Sequence, residues 1–306
     1  MSVRNYFSHA KLILLGEYAV LQGIDAICLP LSTGQNLIVN DVDSYEIQWV
    51  WTYKDHIIAD FVFEPKTLKT LSGNPENAIW CRGLLELIRL YNPGFLLDKG
   101  CRLSFVNHFP EAWGLGSSSA TISSLCRMAG VNPYLVNKRL MGGSGADIAC
   151  TTRNNWFLYR MKLPEPEIWN IPVDYRFIKN SYFIYSGSKQ ATAEHLRTIA
   201  SQNEAREVQW SVINSLVYRF LAATKLKDAC DTLDEHEAFI SNAIKRKTIG
   251  DEFSDFPGKI KSLGAWGGDF FMALTTEKPE FVKKYFGIKG FDTVFSWHEL
   301  VNSDNF

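Results

Sequence analysis

The sequence has 306 residues and a formal net charge of −1 at pH 7, so it offers no basic field for nucleic acid and we expect no nucleic-acid partner. No apolar run reaches the length of a membrane span, and the first residues lack the apolar region of a signal peptide. We therefore expect a cytoplasmic protein with no membrane partner. The six cysteines are scattered without a Cys-x-x-Cys pair, which predicts reduced thiols in the core.

Strand and helix patterns alternate irregularly along the first half of the chain. The segments 11–15 and 36–39 are typical of buried strands, and 46–53 alternates apolar and polar residues in a way that predicts a half-buried strand. A turn then leads to 57–63, the predicted partner in a hairpin, and apolar residues at helical spacing predict a helix over about 76–91. This mixture lacks a regular β-α-β rhythm and therefore favours an α+β fold.

The second half begins after proline-rich segments near 163–167 and 171–172 that suit a crossing between domains. A chain of this length favours two domains, which we place at 1–165 and 166–306. Strands are predicted at 182–185 and 270–275, and two apolar stripes between them predict long helices with core-facing sides. The stripes comprise Val208, Val212, Leu216 and Phe220, followed by Leu233, Phe239, Ile240 and Ile244.

Four glycine-rich segments stand out, at 11–23, 110–122, 141–150 and 262–271. In the second, Gly-Leu-Gly-Ser-Ser-Ser directly precedes an apolar run that predicts a helix. Glycine permits unusual backbone angles, serine favours the N-cap, and a helix N-terminus attracts anions, so this segment suits a phosphate. Taken alone, each segment is also compatible with a capped turn, a bulge or a hairpin without a ligand.

Taken together, these segments resemble the motifs of the GHMP small-molecule kinases. Residues 11–23 look like the first family motif, 110–121 like the phosphate loop Pro-x-x-x-Gly-Leu-Gly-Ser-Ser-Ala, and 263–273 like the glycine-rich third motif. Residues 141–149 are similar to the Gly-x-x-Ser-Gly-x-Asp segment of the mevalonate kinase branch. The details look closest to a bacterial subgroup with Gly-Tyr-Asp-Ile-Ala, although Ala146 here replaces the tyrosine.

The resemblance implies a two-domain α+β fold with a ribosomal-protein-like N-terminal domain, a ferredoxin-like C-terminal domain and a cleft between them. It implies ATP and Mg²⁺ as cofactors and transfer of the γ-phosphate to a small-molecule acceptor, with mevalonate or phosphomevalonate as our first choice. The protein is expected to be a monomer or a homodimer. A diphosphomevalonate-decarboxylase-like enzyme and a non-catalytic sensor of nucleotide or metabolite with this fold remain alternatives.

The resemblance also assigns roles to individual residues. Asp147 would orient, and could deprotonate, the attacking hydroxyl, and Lys11 would stabilise the negative charge that develops there. The residues expected to contact the nucleotide are Gly114, Leu115, Gly116, Ser117, Ser118, Ser119, Ala120, Gly264, Gly267 and Gly268. The residues expected to contact the acceptor substrate are Glu17, Tyr18, Ser144, Gly145, Ser186, Lys189 and Thr192.

The metal site departs from the family pattern. Mevalonate kinases carry a glutamate that ligates Mg²⁺ between the phosphate loop and the aspartate motif, whereas the interval 122–140 contains no acid. The resemblance assigns the Mg²⁺ to Ser118, and Glu17 and Asp269 are alternative carboxylates by their proximity to the motifs. Because Mg²⁺ commonly takes only one or two protein ligands beside substrate phosphates, we expect a weak metal site.

Overall fold

The computed structural model describes residues 3–171, 176–187, 209–264, 266 and 269–301, and it has an α+β architecture with one large and one small β-sheet. This confirms the predicted fold class. The large sheet has the order β5-β4-β3-β6-β2-β7-β8, and β1 pairs with β2 outside this path. Its strands are β1 (Arg4–Leu15), β2 (Ala26–Asp41), β3 (Ile47–Tyr53), β4 (His56–Phe63), β5 (Thr70–Ser72), β6 (Cys101–Asn107), β7 (Phe157–Arg160) and β8 (Glu167–Asn170).

The strand β2 is 16 residues long and organises the large sheet. It pairs antiparallel with β1 along nearly its whole length, with β6 through residues 35–41 and with β7 through residues 26–28. The strands β3 and β4 form the predicted antiparallel hairpin, and Ile47 and Trp49 of β3 are buried as the alternation requires.

The helices of the first half share one hydrophobic core with the large sheet. Trp49 and Phe105 contribute from the strands, and Leu84, Ile122 and Val136 contribute from three different helices. The predicted helix near 76–91 is confirmed, although it begins at residue 79. The helices are α1 (Ile79–Tyr91), α2 (Ser117–Ala129), α3 (Pro133–Leu140) and α4 (Ala146–Cys150).

The small sheet has the order β10-β11-β9-β12, and all its neighbouring strands are antiparallel. Helices connect β9 to β10 and β11 to β12, which makes two β-α-β units and a ferredoxin-like arrangement. Its strands are β9 (Ser181–Tyr185), β10 (Gly258–Leu263), β11 (Phe270–Thr275) and β12 (Val294–Ser296). The described helices of this half are α5 (Ser211–Ala222), α6 (Leu226–Ile244), α7 (Pro279–Ile288) and α8 (Trp297–Leu300).

The first predicted apolar stripe is wrong in part. Val212 is 40% exposed, and the buried side of α5 instead includes Ile213 and Val217 together with Leu216 and Phe220. Residues spaced strictly by four drift around a helix of 3.6 residues per turn, so a stripe of buried residues needs steps of both three and four. Val208 lies outside the described residues. The second stripe is confirmed as core, with Phe239 partly buried.

One large core joins the two halves of the chain. Leu12 and Leu14 of β1 belong to the same apolar cluster as Phe183 of β9, Ile213 of α5 and Leu233 of α6. The strand β8 pairs with β7 although it lies after residue 165, so the large sheet reaches Asn170. The division at 165 and 166 therefore stays a prediction.

All six cysteines are free thiols, and all except the half-buried Cys230 are buried. This agrees with the expectation of reduced thiols in the core. Among the helices within the described part of the chain, none is both long and apolar enough to cross a membrane.

Candidate functional site

The loop before α2 uses glycine where the backbone turns left-handed. Gly114 has φ +66° and Gly116 has φ +90°, whereas Leu115 between them is buried in the core. The carbonyl of Leu115 accepts a hydrogen bond from the backbone N–H of Lys11 (3.1 Å), which ties the loop to β1. The two glycines thus permit the left-handed turns, and the leucine between them packs in the core.

Gly116 is the N-cap of α2, and Ser117 is its first residue. The expectation that a serine caps this helix is wrong, because no side chain among the described residues caps it. The serines instead occupy the first turn, where the backbone N–H groups have no partner within the helix. The N-terminal end of α2 is therefore electropositive, and it lies within the segment that the sequence predicts to bind phosphate.

Lys11 and Asp147 form an ion pair beside this loop. The Nζ of Lys11 lies 3.2 Å from Oδ2 of Asp147, and the two side chains are 15% and 36% exposed. The stem of Lys11 crosses Gly116, where a Cβ would lie 3.0 Å from Cγ and 3.2 Å from Cε of the lysine. Burial alone lowers the pKa of Lys11, but the negative charges of Asp147 and Asp269 outweigh it, so the net pKa is raised.

The loop that presents Asp147 is held by two tyrosines. Gly145 is the N-cap of α4 with φ +85°, and a Cβ there would lie 3.0 Å from both the Tyr134 ring and the Tyr159 hydroxyl. The Tyr159 hydroxyl donates a hydrogen bond to the carbonyl of Ser144 (2.6 Å). Asp147 therefore extends from a fixed turn at the start of a short helix.

Asp269 approaches the same place from the second half of the chain. It adopts a left-handed backbone with φ 56°, and its carbonyl accepts a hydrogen bond from the N–H of Ser186 (2.8 Å). Its carboxylate packs against Gly114, where a Cβ would lie 2.3 Å from Cγ of the aspartate. Any side chain at position 114 would therefore displace this carboxylate.

These groups line a cleft of about 240 Å³. It brings together residues from the first, second, aspartate and third motifs, as the resemblance implies. The predicted residues that line it are Lys11, Glu17, Tyr18, Ser119, Ser144, Gly145, Asp147 and Gly264. Asp269, considered only as a metal ligand, also lines it, and the lining residues without a predicted role are Ile13, Val20, Leu21, Asn137, Met141 and Gly143.

Two of these missed residues differ in how far the sequence signals them. Ile13 lies two positions after Lys11 on β1, so the strand period places both on one face. Asn137 lies on α3 with no motif around it, and only the tertiary structure brings it to the cleft.

The other predicted residues do not line this cleft. Leu115 and Ala120 are buried in the core, Ser117 and Ser118 are partly exposed at the start of α2, and Ser186 contacts the backbone of Asp269. Gly114 and Gly116 form the turns of the loop before α2. Four predicted residues lie outside the described part of the chain, namely Gly267, Gly268, Lys189 and Thr192.

A second charged cluster extends from the cleft residue Glu17 into the interior. The Nζ of Lys261 donates to Oε1 of Glu17 (2.5 Å) and lies 3.7 Å from Oε1 of Glu237. His236 Nε2 lies 3.6 Å from Oε2 of Glu17 and accepts a weak hydrogen bond from the N–H of Gly16 (3.3 Å). All four side chains of this buried cluster, Glu17, His236, Glu237 and Lys261, are at most 3% exposed.

Glu17, His236 and Glu237 place one potential ligand atom each within 4.8 Å of one another, as a metal site requires. The ammonium of Lys261, however, already contacts this group and supplies its positive charge. A divalent ion would meet direct repulsion from Lys261 at this distance. The carboxyl group of Glu17 therefore binds Lys261. We interpret the buried cluster as an internal ion pair rather than a metal site.

Burial dominates the protonation of the buried cluster. It raises the pKa of Glu17 despite the opposing effect of Lys261, and it raises that of Glu237 to about 7. Burial, helped by the positive charge of Lys261, lowers the pKa of His236 well below its usual value. His236 is accordingly neutral at neutral pH, and the carboxyl of Glu237 titrates near neutrality.

Tyr18 joins the first motif to the third. Its hydroxyl accepts a hydrogen bond from the backbone N–H of Trp266 (3.0 Å), and its own backbone is left-handed with φ 62°. Burial raises the pKa of Tyr18 to about 12, so the hydroxyl stays protonated at neutral pH.

No protein-family model matches the chain, and no curated protein matches it. Several solved structures, however, are similar to nearly the whole chain in fold. The mevalonate kinase of Methanococcus jannaschii is 20% identical over 99% of both chains, with a TM-score of 0.69. The phosphomevalonate kinase of Streptococcus pneumoniae, solved with phosphomevalonate and AMPPNP, is 18% identical over 96% of this chain and 99% of that chain, with a TM-score of 0.71. The galactokinase of Lactococcus lactis, solved with galactose, is 13% identical over 98% of this chain and 93% of that chain, with a TM-score of 0.70. The chain thus has the fold of the GHMP kinases over nearly its whole length.

Proposed function

We propose that this chain is an ATP-dependent kinase that transfers the γ-phosphate of ATP to a hydroxyl group of a small metabolite. The observation that carries the proposal is the ion pair of Lys11 and Asp147, 3.2 Å apart, which crosses Gly116 at the start of α2. It joins a basic group, a carboxylate and an electropositive helix end in one cleft, which are the groups that phosphoryl transfer needs.

The residues present fit ATP and Mg²⁺. The first-turn amides of α2 lack partners within the helix and suit phosphate oxygens. Ser118 is partly exposed, and its hydroxyl has no hydrogen bond within the described residues, so it would hold Mg²⁺, with Asp269 as the second candidate. Mg²⁺, when bound with ATP, would neutralise phosphate charge.

In the proposed reaction, Asp147 positions the acceptor hydroxyl and takes its proton. The acceptor oxygen bonds to the γ-phosphorus, the bond from that phosphorus to the bridging oxygen breaks, and ADP leaves. Lys11 offsets the negative charge near the acceptor oxygen. Because such a transition state is loose, this positioning and charge neutralisation account for most of the catalysis.

Mevalonate and phosphomevalonate are the first acceptors we propose. The cleft volume of about 240 Å³ suits a small metabolite. Its apolar residues Ile13, Val20 and Leu21 offer contacts for a short carbon chain, and Ser144 and Asn137 lie among them. Two of the structures with this fold are named as kinases of these compounds.

The test is to incubate the purified chain with Mg-ATP and each of mevalonate, phosphomevalonate, diphosphomevalonate, homoserine and galactose. A phosphorylated alcohol, identified by mass spectrometry and absent with Asp147→Asn, is the expected result. Release of phosphate and CO₂ from diphosphomevalonate would instead indicate a decarboxylase. Binding of ATP without any product would indicate a sensor.

A further inference from the structure

Asn137 is a largely buried residue whose side-chain amide borders the cleft. It is 5% exposed on α3 and lines the cleft together with Asp147 and Ser144. Its backbone carbonyl accepts hydrogen bonds from the N–H groups of Met141 (2.8 Å) and Gly142 (3.2 Å). Its side-chain amide makes no hydrogen bond with any residue in the described part of the chain.

The position of Asn137 on the helix does not call for a polar residue. Tyr134, Asn137 and Met141 follow helical spacing and share one side of α3, whereas Val136 faces the core. Tyr134 packs against the turn at Gly145, and Met141 lines the cleft. An apolar side chain of similar size at 137 would continue this side of the helix.

Other amides near the site are paired. Asn132 caps α3 by accepting from the N–H of Tyr134 (2.9 Å). Gln35 donates to Asn107 (2.8 Å) and accepts from Thr121 (3.0 Å) within the core. The amide atoms of Asn137, by contrast, are not sealed from the cleft and no fold contact uses them, so they are free to bind a ligand there.

We propose that Asn137 is a specificity-determining residue that binds an oxygen function of the acceptor other than the hydroxyl that is phosphorylated. The inference rests on the proposed function of the cleft. A carboxamide donates through its NH₂ and accepts through its oxygen, so it suits a second hydroxyl or a carboxylate. The acceptor class is therefore an alcohol with at least two oxygen functions, held at one end by Asp147 and at the other by Asn137.

The first arm of the test measures stability without ligand. Asn137→Leu is compared with Asn132→Leu, a matched control on the same helix, by thermal unfolding of the full chain. Asn132→Leu removes a helix cap and should lower the melting temperature by about 2–4 °C. Asn137→Leu should leave it unchanged or raise it. A loss equal to that of the control would make Asn137 a structural residue and overturn the proposal.

The second arm measures kinetics with the alcohol that the parent phosphorylates. Asn137→Leu should raise the KM for this acceptor about tenfold, the effect of losing one hydrogen bond in a closed site, and should leave the KM for ATP within about twofold. The increase should shrink for an analogue of the acceptor that lacks the second oxygen function. An unchanged acceptor KM with a shifted Mg²⁺ dependence would place Asn137 at the metal and overturn the proposal.

The two proposals can fail separately. If the parent transfers phosphate but Asn137→Leu binds the acceptor as tightly, the kinase assignment stands and the role of Asn137 does not. If the parent forms no product, calorimetry with the same compounds decides the role of Asn137. A compound that binds the parent but not Asn137→Leu supports it, and equal or absent binding overturns it.

Discussion

Two pairs of lysine and carboxylate lie close together in this fold, and they differ in access to solvent. Lys11 and Asp147 are 3.2 Å apart with side chains 15% and 36% exposed, whereas Lys261 and Glu17 are 2.5 Å apart with side chains 0% and 3% exposed. Both residues of the first pair line the cleft, whereas in the second pair only Glu17 does and Lys261 is fully buried. The same two charges thus differ in access: the first pair is open to the cleft, whereas the carboxylate of Glu17 is almost fully buried against Lys261.

The sharpest test of this contrast replaces each carboxylate by its amide. Asp147→Asn should lower phosphate transfer by about 10²–10⁴-fold, because the proposed proton acceptor is lost, with little change in ATP affinity. Glu17→Gln is the matched change in the buried pair of Lys261 and Glu17, called the sealed pair below. It should reduce stability more than turnover. Steady-state kinetics and calorimetry measure both. Equal turnover in Asp147→Asn and the parent would remove this residue from the mechanism.

Lys261→Met should lower the free energy of unfolding by about 3–5 kcal/mol, because Glu17 would remain buried without its cation. Adding Glu17→Gln should recover part of this loss. Lys11→Met should cost less, since Asp147 can be hydrated from the cleft. Urea denaturation of these three variants and of Glu17→Gln alone measures these differences. Additive losses in the double variant would mean that the sealed pair does not act as a unit.

The pH dependence of stability separates the two regions further. Because the pKa of Glu237 is raised from 4.5 to about 7, the folded state holds this proton more tightly than the unfolded state. The resulting stability is complete below about pH 4.5 and is lost as the pH rises through 7, an effect of up to about 3 kcal/mol.

Glu237→Gln should therefore flatten the decline in unfolding free energy between pH 4.5 and 8. Glu235→Gln is the control on the same helix, since Glu235 forms an exposed pair with Arg219 that lowers its pKa. The control should keep the decline. Matching slopes for Glu237→Gln and the parent would show that Glu237 does not titrate in this range.

The smallest effect concerns the metal in the open region. Ser118→Ala should raise the Mg²⁺ concentration for half-maximal rate by about tenfold, because one proposed ligand is lost, and excess Mg²⁺ should restore part of the rate. If Asp269 is the main ligand, Asp269→Asn should show the larger shift. Rate measured against Mg²⁺ for each variant distinguishes these cases, and identical curves would exclude both side chains.

The sequence predicts the exposed pair of Lys11 and Asp147 better than the buried pair of Lys261 and Glu17. Lys11 and Asp147 each lie in a short glycine-rich motif, so local residues identify them before any contact is known. Lys261 lies in a strand, Gly258–Leu263, that also carries Lys259. No local pattern distinguishes the lysine that is fully buried from the one that is not, because the partner of Lys261 lies at the other end of the chain.

The fold shows the same limit. The alternation over 46–53 predicts the strand and the burial of Ile47 and Trp49, because both follow from the strand period, although Val50 on the opposite face is also buried. The stripe containing Val212 misplaces one core residue, since the buried side of α5 depends on which elements pack against it. The sequence does not predict that Asn137 lines the cleft, for a related reason. The cleft forms only where α3, β1 and the loop at 143–145 meet.

The bond between Glu17 and Lys261 spans 244 positions of sequence, and this separation bears on how the chain folds. During synthesis from the N-terminus, Glu17 emerges long before its partner, so the first half cannot complete its interior while the ribosome still holds the second. Closing so long a loop is slow compared with forming local helices and hairpins. The sealed pair should therefore form at the final docking of the two halves, and an early-terminated chain should expose the apolar face of β1 to chaperones.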